Sequence, residues 1–125
     1  MRILLDTHIY LWWLQDNLKL TSTCKGLILA ASDVFVSSAS IWEAAIKTKL
    51  GKLDTNIDML VAEIVNNGFT ELPVTADHAA RVVHLPDIHR DPFDRILVAQ
   101  AMVEPLRLIT ADEILIGYSE LVQLV

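Results

Sequence analysis

Asp91 and Asp94 open one helical pattern three residues apart, in "HRDPFDRILVAQA" at 89–101. Residues at that spacing are neighbours on a helix surface, and like charges there repel. Two readings stand side by side. Asp91 can cap the helix, with Pro92 at the first helical position where proline is favoured. Alternatively, the carboxylates converge on a cation. The other acids bear on this. Asp6 follows the apolar run "RILL" with no cationic neighbour in sequence, and a carboxylate withdrawn from water needs a partner. Glu43 lies in the first turn of the helical pattern "SIWEAAIKTKLG", where Ser40 and Glu43 also spell a capping box. Asp112 follows "LRLIT" and can equally cap a short helix at 113–117.

The elements that must position these residues alternate along the chain. Strands are expected at 2–5, 34–37, 70–74, 106–110 and 121–125. Helices are expected at 7–15, 23–32, 40–51, 56–68, 76–84 and 92–103, with Gly51 and Gly68 closing two of them and Thr75 capping another. Such alternation predicts an α/β fold in which helices cover both faces of a mostly parallel sheet. Ligands in such folds bind outside the carboxyl ends of the strands, beside the amino ends of the helices. Asp6, Glu43, Asp94 and Asp112 all fall on that edge. Asp33 falls on the opposite edge, and Asp16, Asp54, Asp58, Glu63, Glu104 and Glu120 are expected on solvated faces or connections. Four carboxylates at one edge repel unless protons or a divalent cation sit among them. Hard oxygen donors point to Mg²⁺ or Mn²⁺. Neither zinc-like histidine spacing nor a second cysteine beside Cys24 is present. His8, His78, His84 and His89 read as local hydrogen-bonding groups, with His89 the one nearest the acidic cluster.

Composition bounds the rest. The 125 residues make one domain, 1–125, able to bury roughly two thirds of the unfolded surface. A hydrophobic share of 53% is high for such a chain, yet no apolar run approaches the ~20 residues of a membrane span. Asp6 and His8 interrupt the amino-terminal apolar stretch, against a signal peptide. The excess apolar surface predicts a partner, either a homodimer or a bound second chain. The lone Cys24 suits the cytoplasm. A net charge of −6 excludes simple electrostatic binding of nucleic acid.

The strings "ILLDTH", "SSASIWEAAIKTKLGKL", "HRDPFDRILVAQA" and "LRLITAD" resemble, in order, the successive motifs of the PIN-domain family. The resemblance runs to its toxin ribonucleases of the VapBC type and spans Ile3 to Asp112. It implies a three-layer α/β/α sandwich with sheet order 3-2-1-4-5. It places the family's acids on Asp6, Glu43, Asp94 and Asp112. Asp6, Asp94 and Asp112 would hold one or two Mg²⁺ or Mn²⁺ ions, and Glu43 would complete the set or orient the attacking water. Asp91 then fixes Asp94 as the N-cap, so capping and chemistry coexist. Asp77, two strands from the first, would lie roughly 10 Å off. The implied activity is metal-dependent hydrolysis of RNA phosphodiester bonds, with a cognate antitoxin protein and a homodimer as partners. Thr7 and Thr110 offer hydroxyls beside the acids, and Arg90 and Arg95 are placed either for phosphate or for surface ion pairs. On the first helix Trp12 and Trp13 either both pack in one wide apolar face, or one of them serves a partner surface.

Other nucleotide and phosphoryl chemistries fit less well. A haloacid-dehalogenase phosphatase needs D-x-D where this chain has Asp6-Thr7-His8. A receiver domain needs a late-strand lysine, and residues 105–125 contain none. A Rossmann nucleotide site needs a glycine-rich turn, and the glycines here are scattered singly. The non-enzymatic competitor is a PIN-like binding module without activity.

Overall fold

The computed structural model describes residues 1–125. Strand β1 (Arg2–Leu5) explains the layering by itself. Ile3 and Leu5 enter one apolar cluster and Leu4 enters a second. Successive strand residues point to opposite faces, so both faces of the sheet must be covered. β1 is flanked by β2 (Asp33–Ser37) and β4 (Arg107–Thr110), with β3 (Thr70–Leu72) and β5 (Val122–Leu124) at the edges. The order is β3-β2-β1-β4-β5, with every pair parallel. This is the order expected from the sequence motifs. Leu5 pairs with Val36 on one side and Ile109 on the other, so β1, β2 and β4 end side by side.

Helices α1 (Thr7–Gln15), α2 (Ser22–Ala30) and α4 (Ile57–Asn66) bury Ile9, Tyr10, Cys24, Ile28, Leu60 and Ile64 against one face. The Tyr10 hydroxyl donates to the Leu60 carbonyl at 2.7 Å. Helix α6 (Pro92–Val103) covers the other face with Leu97, Val98 and Ala101, beside Leu115 and Tyr118 of a 3-10 segment at Glu113–Tyr118. Helix α3 (Ser38–Lys49) contributes Ala44 to the first cluster and, like α6, starts at the carboxyl edge of the sheet. Gly51 and Gly68 both take a φ of 75°, the left-handed geometry that lets the chain turn away after α3 and α4.

Several boundaries differ from the expectation, each for a local reason. The helix expected from 40 starts at Ser38, because Ser37 is the N-cap and accepts the Ala39 amide at 3.0 Å. Ser40 is therefore interior to α3 and buried, where it receives the Thr7 hydroxyl at 2.8 Å. The Ser40–Glu43 capping box does not form. The helix expected at 76–84 splits into α5 (Ala76–Arg81) and a 3-10 turn at Val82–His84. Thr75 does cap α5, and His78 completes the box by accepting the Thr75 amide. Glu104 is not solvated as expected: its carboxylate lies 2.5 Å from Nε2 of the buried His78. Trp13 donates to Asn67 at 3.0 Å and packs beside Phe69. Trp12, under Lys19, is also partly buried against the same core. No helix is long and apolar enough to cross a membrane.

Candidate active site

Asp6 is the first residue past β1 and the N-cap of α1. Its Oδ1 accepts the His8 amide at 2.7 Å, and its Oδ2 accepts the Thr110 hydroxyl at 2.6 Å. Its backbone amide donates to Ile109, so the residue is tied to the end of β4 at both levels. Only 4% of Asp6 is exposed. Burial pushes its carboxyl above the usual range; the Thr110 and His8 contacts pull it back, and the Glu43 charge adds to the rise.

Glu43, 3% exposed, points inward from α3. It does not reach back to a helix amide. Its Oε2 instead accepts Lys47 Nζ at 2.7 Å, one turn on. That bond raises the Lys47 pKa, and the charges of Asp91 and Asp94 act in the same direction. Lys47 is thus a cation of the acidic edge. Its i,i+4 spacing from Glu43 is the sequence signal for this pairing.

Asp91 caps α6 as expected, its Oδ1 accepting the Phe93 and Asp94 amides at 2.8 and 3.2 Å. The cap holds Asp94 in the first turn, facing the cluster. Burial first, then the charges of Asp91, Asp6 and Glu43, push the Asp94 carboxyl up to about 7, with His89 opposing. Asp112 caps the 3-10 segment, accepting the Ile114 amide at 3.0 Å, while its own amide donates to the Thr110 hydroxyl at 3.1 Å. Thr110 therefore contacts two of the acids, whereas Thr7 turns to Ser40 instead.

His89 joins this group. Its Nε2 lies 3.0 Å from Asp94 Oδ2, and donor atoms of His89, Asp94 and Asp112 all lie within 4.8 Å of one another. Of the residues singled out in the sequence, Asp6, Glu43, Asp94 and Asp112 come to one edge. Asp77 lies exposed on α5, behind edge strand β3. Arg95 forms neither a surface ion pair nor an open phosphate contact: its guanidinium donates to the Val82, Pro86 and His89 carbonyls and to the Tyr118 hydroxyl. Arg90 is exposed.

The donor set fits a hard divalent cation. Carboxylate oxygens dominate, no thiol is near, and burial followed by the neighbouring carboxylates raises Asp94 to about 7. Beside the acids, Trp42 and Phe93 meet edge to face at 5.1 Å in an apolar groove of about 630 Å³, which Val74, Val82 and Ile96 also line.

Ribonuclease VapC22 of Mycobacterium tuberculosis is 29% identical over 116 residues, covering 88% of this chain and 86% of that protein. Among solved structures, VapBC2 from Rickettsia felis bound to a promoter DNA fragment superposes with a TM-score of 0.70. It is 15% identical, covering all of this chain and 98% of that one. A toxin–antitoxin complex from Klebsiella pneumoniae gives a TM-score of 0.67 at 19% identity, covering 97% of this chain and 95% of that one. With the fold and the acidic edge both in place, the PIN domain family model matches residues 3–121, and the chain belongs to the PIN-domain family.

Proposed function

We propose that this protein is a metal-dependent endoribonuclease, the toxin of a type II toxin–antitoxin pair, acting in the cytoplasm on RNA phosphodiester bonds. The observation that carries the reading is the gathering of Asp6, Glu43, Asp94 and Asp112 at the carboxyl edge of β1 and β4, where burial and then the neighbouring carboxylates raise Asp94 to about 7. The named ribonuclease activity of the Mycobacterium tuberculosis relative supports it. Asp6, Asp94 and Asp112 would hold Mg²⁺ or Mn²⁺, with Glu43 completing the set or orienting the attacking water. A divalent ion at this edge supplies Lewis-acid activation of water and phosphodiester, and it offsets the charge of a polyanionic substrate.

The chain's own residues do the positioning. Thr110 fixes the Asp6 carboxylate, Asp91 fixes Asp94, and Lys47 balances Glu43. The amino ends of α3 and α6 bring positive dipole ends to the same edge, where a phosphate gains from them. The similar structure from Klebsiella pneumoniae is a toxin–antitoxin complex. We assign the apolar groove beside Trp42 and Phe93 to a segment of a cognate antitoxin, and the exposed helix faces to a homodimer contact.

Cleavage of end-labelled RNA tests the reading. Internal cuts are expected with Mg²⁺ or Mn²⁺ and none with chelator. Asp6→Asn and Asp94→Asn should abolish cutting while circular dichroism stays that of the folded chain. Cutting at the wild-type rate by either variant overturns the site assignment. A metal-loaded wild type that cuts no RNA favours a binding module that keeps the PIN fold without activity.

A further inference from the structure

We infer that His89 is a nitrogen ligand of the metal position shared with Asp94 and Asp112, and that it biases this position toward Mn²⁺ over Mg²⁺. The inference rests on the metal-dependent reading of the same site and goes beyond its four carboxylates. Three observations support it.

The first is proximity. One imidazole nitrogen and two carboxylate oxygens lie within 4.8 Å of one another. Metal–oxygen bonds to a small cation run about 2.0–2.1 Å, so a single ion can bridge this group with small side-chain adjustments.

The second is the effort spent on holding His89 in place. It lies outside any helix or strand, between the 3-10 turn at Val82–His84 and α6. Its backbone amide donates to the Tyr118 hydroxyl at 2.8 Å, and that hydroxyl donates back to the His89 carbonyl at 3.0 Å. Arg95 donates to the Tyr118 hydroxyl, to the His89 carbonyl and, at 2.9 Å, to the Pro86 carbonyl. Ile88 packs where a side chain on Gly117 would stand, 3.1 Å from the position of its Cβ. Tyr118 and Arg95 thus act as positioning residues that clamp the loop from both sides. These contacts hold the His89 backbone, so the ring projects from a fixed point beside Asp94.

The third is the direction of the ring, whose Nε2 faces the Asp94 carboxylate at 3.0 Å. Its side-chain partner is Asp94, and the ring is part-exposed on the cluster rather than packed in a core. An all-oxygen set suits Mg²⁺, which keeps its waters and accepts nitrogen reluctantly. An imidazole tips the choice toward a transition ion.

The experiment uses the chelator-stripped full chain with Mn²⁺ or Mg²⁺ alone, without RNA. Pulsed EPR on the Mn²⁺ form reads nitrogen coupling directly, and calorimetry reads the two affinities. We expect a ¹⁴N coupling in the wild type that disappears in His89→Ala. Mn²⁺ affinity in that variant should fall by about tenfold or more, and Mg²⁺ affinity much less. Tyr118→Phe should weaken Mn²⁺ binding in the same direction by loosening the clamp. The wild-type spectrum is decisive even where a variant fails to fold. Absence of nitrogen coupling in the wild type, its persistence in His89→Ala, or an equal fall for both ions overturns the inference. If Mn²⁺ binds through oxygens alone and RNA is still cut, only this inference falls. If neither ion binds and no RNA is cut, the functional reading falls with it.

Discussion

The Thr110 hydroxyl donates to Asp6 Oδ2 at 2.6 Å, joining the ends of β4 and β1 across 104 positions of sequence. The Thr110 hydroxyl oxygen also accepts the Asp112 amide. One side chain therefore sets two of the acids, and it lies wholly buried while doing so. Thr110→Val keeps the shape and removes both bonds. It should cost about 1–3 kcal/mol of stability, because a buried carboxylate oxygen and an amide lose their partner. Cleavage should fall by about 10–100-fold, the usual cost of losing an outer contact to a ligand. Denaturant melts and single-turnover cleavage check the pair. A variant of wild-type stability and rate would mean that Asp6 holds its place without the hydroxyl.

Metal-free stability should depend on pH through Asp94. Its folded-state pKa, about 7, lies above the unfolded value of 3.8. The folded chain therefore binds the extra proton. The sign follows: this stabilisation is complete below the unfolded pKa and is lost as pH rises through about 7. Asp6 is shifted upward as well and acts in the same sense. In chelator, the Tm should fall between pH 5 and pH 8. Asp94→Asn should flatten that fall, and Mn²⁺ or Mg²⁺ should raise the Tm at pH 8 by binding the folded state alone. A chelated Tm that climbs across that interval would contradict the crowding.

Lys47 supplies a further test of the charge balance. Its ammonium is the hydrogen-bonded cation of Glu43, a carboxylate 4% exposed at the side chain. Lys47→Met leaves that charge buried and unpaired, which costs several times what a surface pair would. Destabilisation should be marked in chelator and partly recovered with Mn²⁺, because a cation at the edge replaces the lost one. Paired thermal scans with and without metal decide this. Equal losses in both conditions would make Lys47 a packing residue only.

Much of this arrangement was legible in the sequence, where local rules dominate. β1, α1 and α6 begin and end as expected. Their signals are strong: an apolar Ile-Leu-Leu run closed by an aspartate, and an Asp-Pro helix entrance. Given parallel strands, the edge carrying the acids followed from topology alone. The start of α3 did not, because "SSAS" offers three serines that can each cap. Tertiary contacts decide among them: Ser38 accepts the Val74 amide, Ser40 accepts Thr7, and Ser37 is left to cap. Glu43 consequently turns to Lys47. The clamp on His89 was equally hidden, since Tyr118 lies 29 positions away and no spacing rule joins the two. His78 and Glu104 meet for the same kind of long-range reason.

The last prediction concerns inhibition. Trp42 is 64% exposed and stands edge-on to Phe93, one residue before Glu43 as Phe93 is one residue before Asp94. The groove they line therefore borders the helix turns that carry Glu43 and Asp94. An amphipathic segment lying there would place a basic side chain within reach of the cluster. Asp6, only 4% exposed, does not readily receive so large a group as a guanidinium. Asp94, half-buried, can, and an arginine there gains a charge-assisted bond while competing with the metal. Trp42→Ala should therefore weaken binding of the antitoxin encoded beside this gene by about 2 kcal/mol or more, ~30-fold in Kd, as loss of a central aromatic anchor does. Mn²⁺ should weaken the wild-type complex as well, by occupying the arginine's position. Calorimetric titration of the two proteins, with light scattering to read the stoichiometry, measures both effects. A complex indifferent to Trp42 and to Mn²⁺ would mean that the antitoxin binds elsewhere and inhibits without touching the acids.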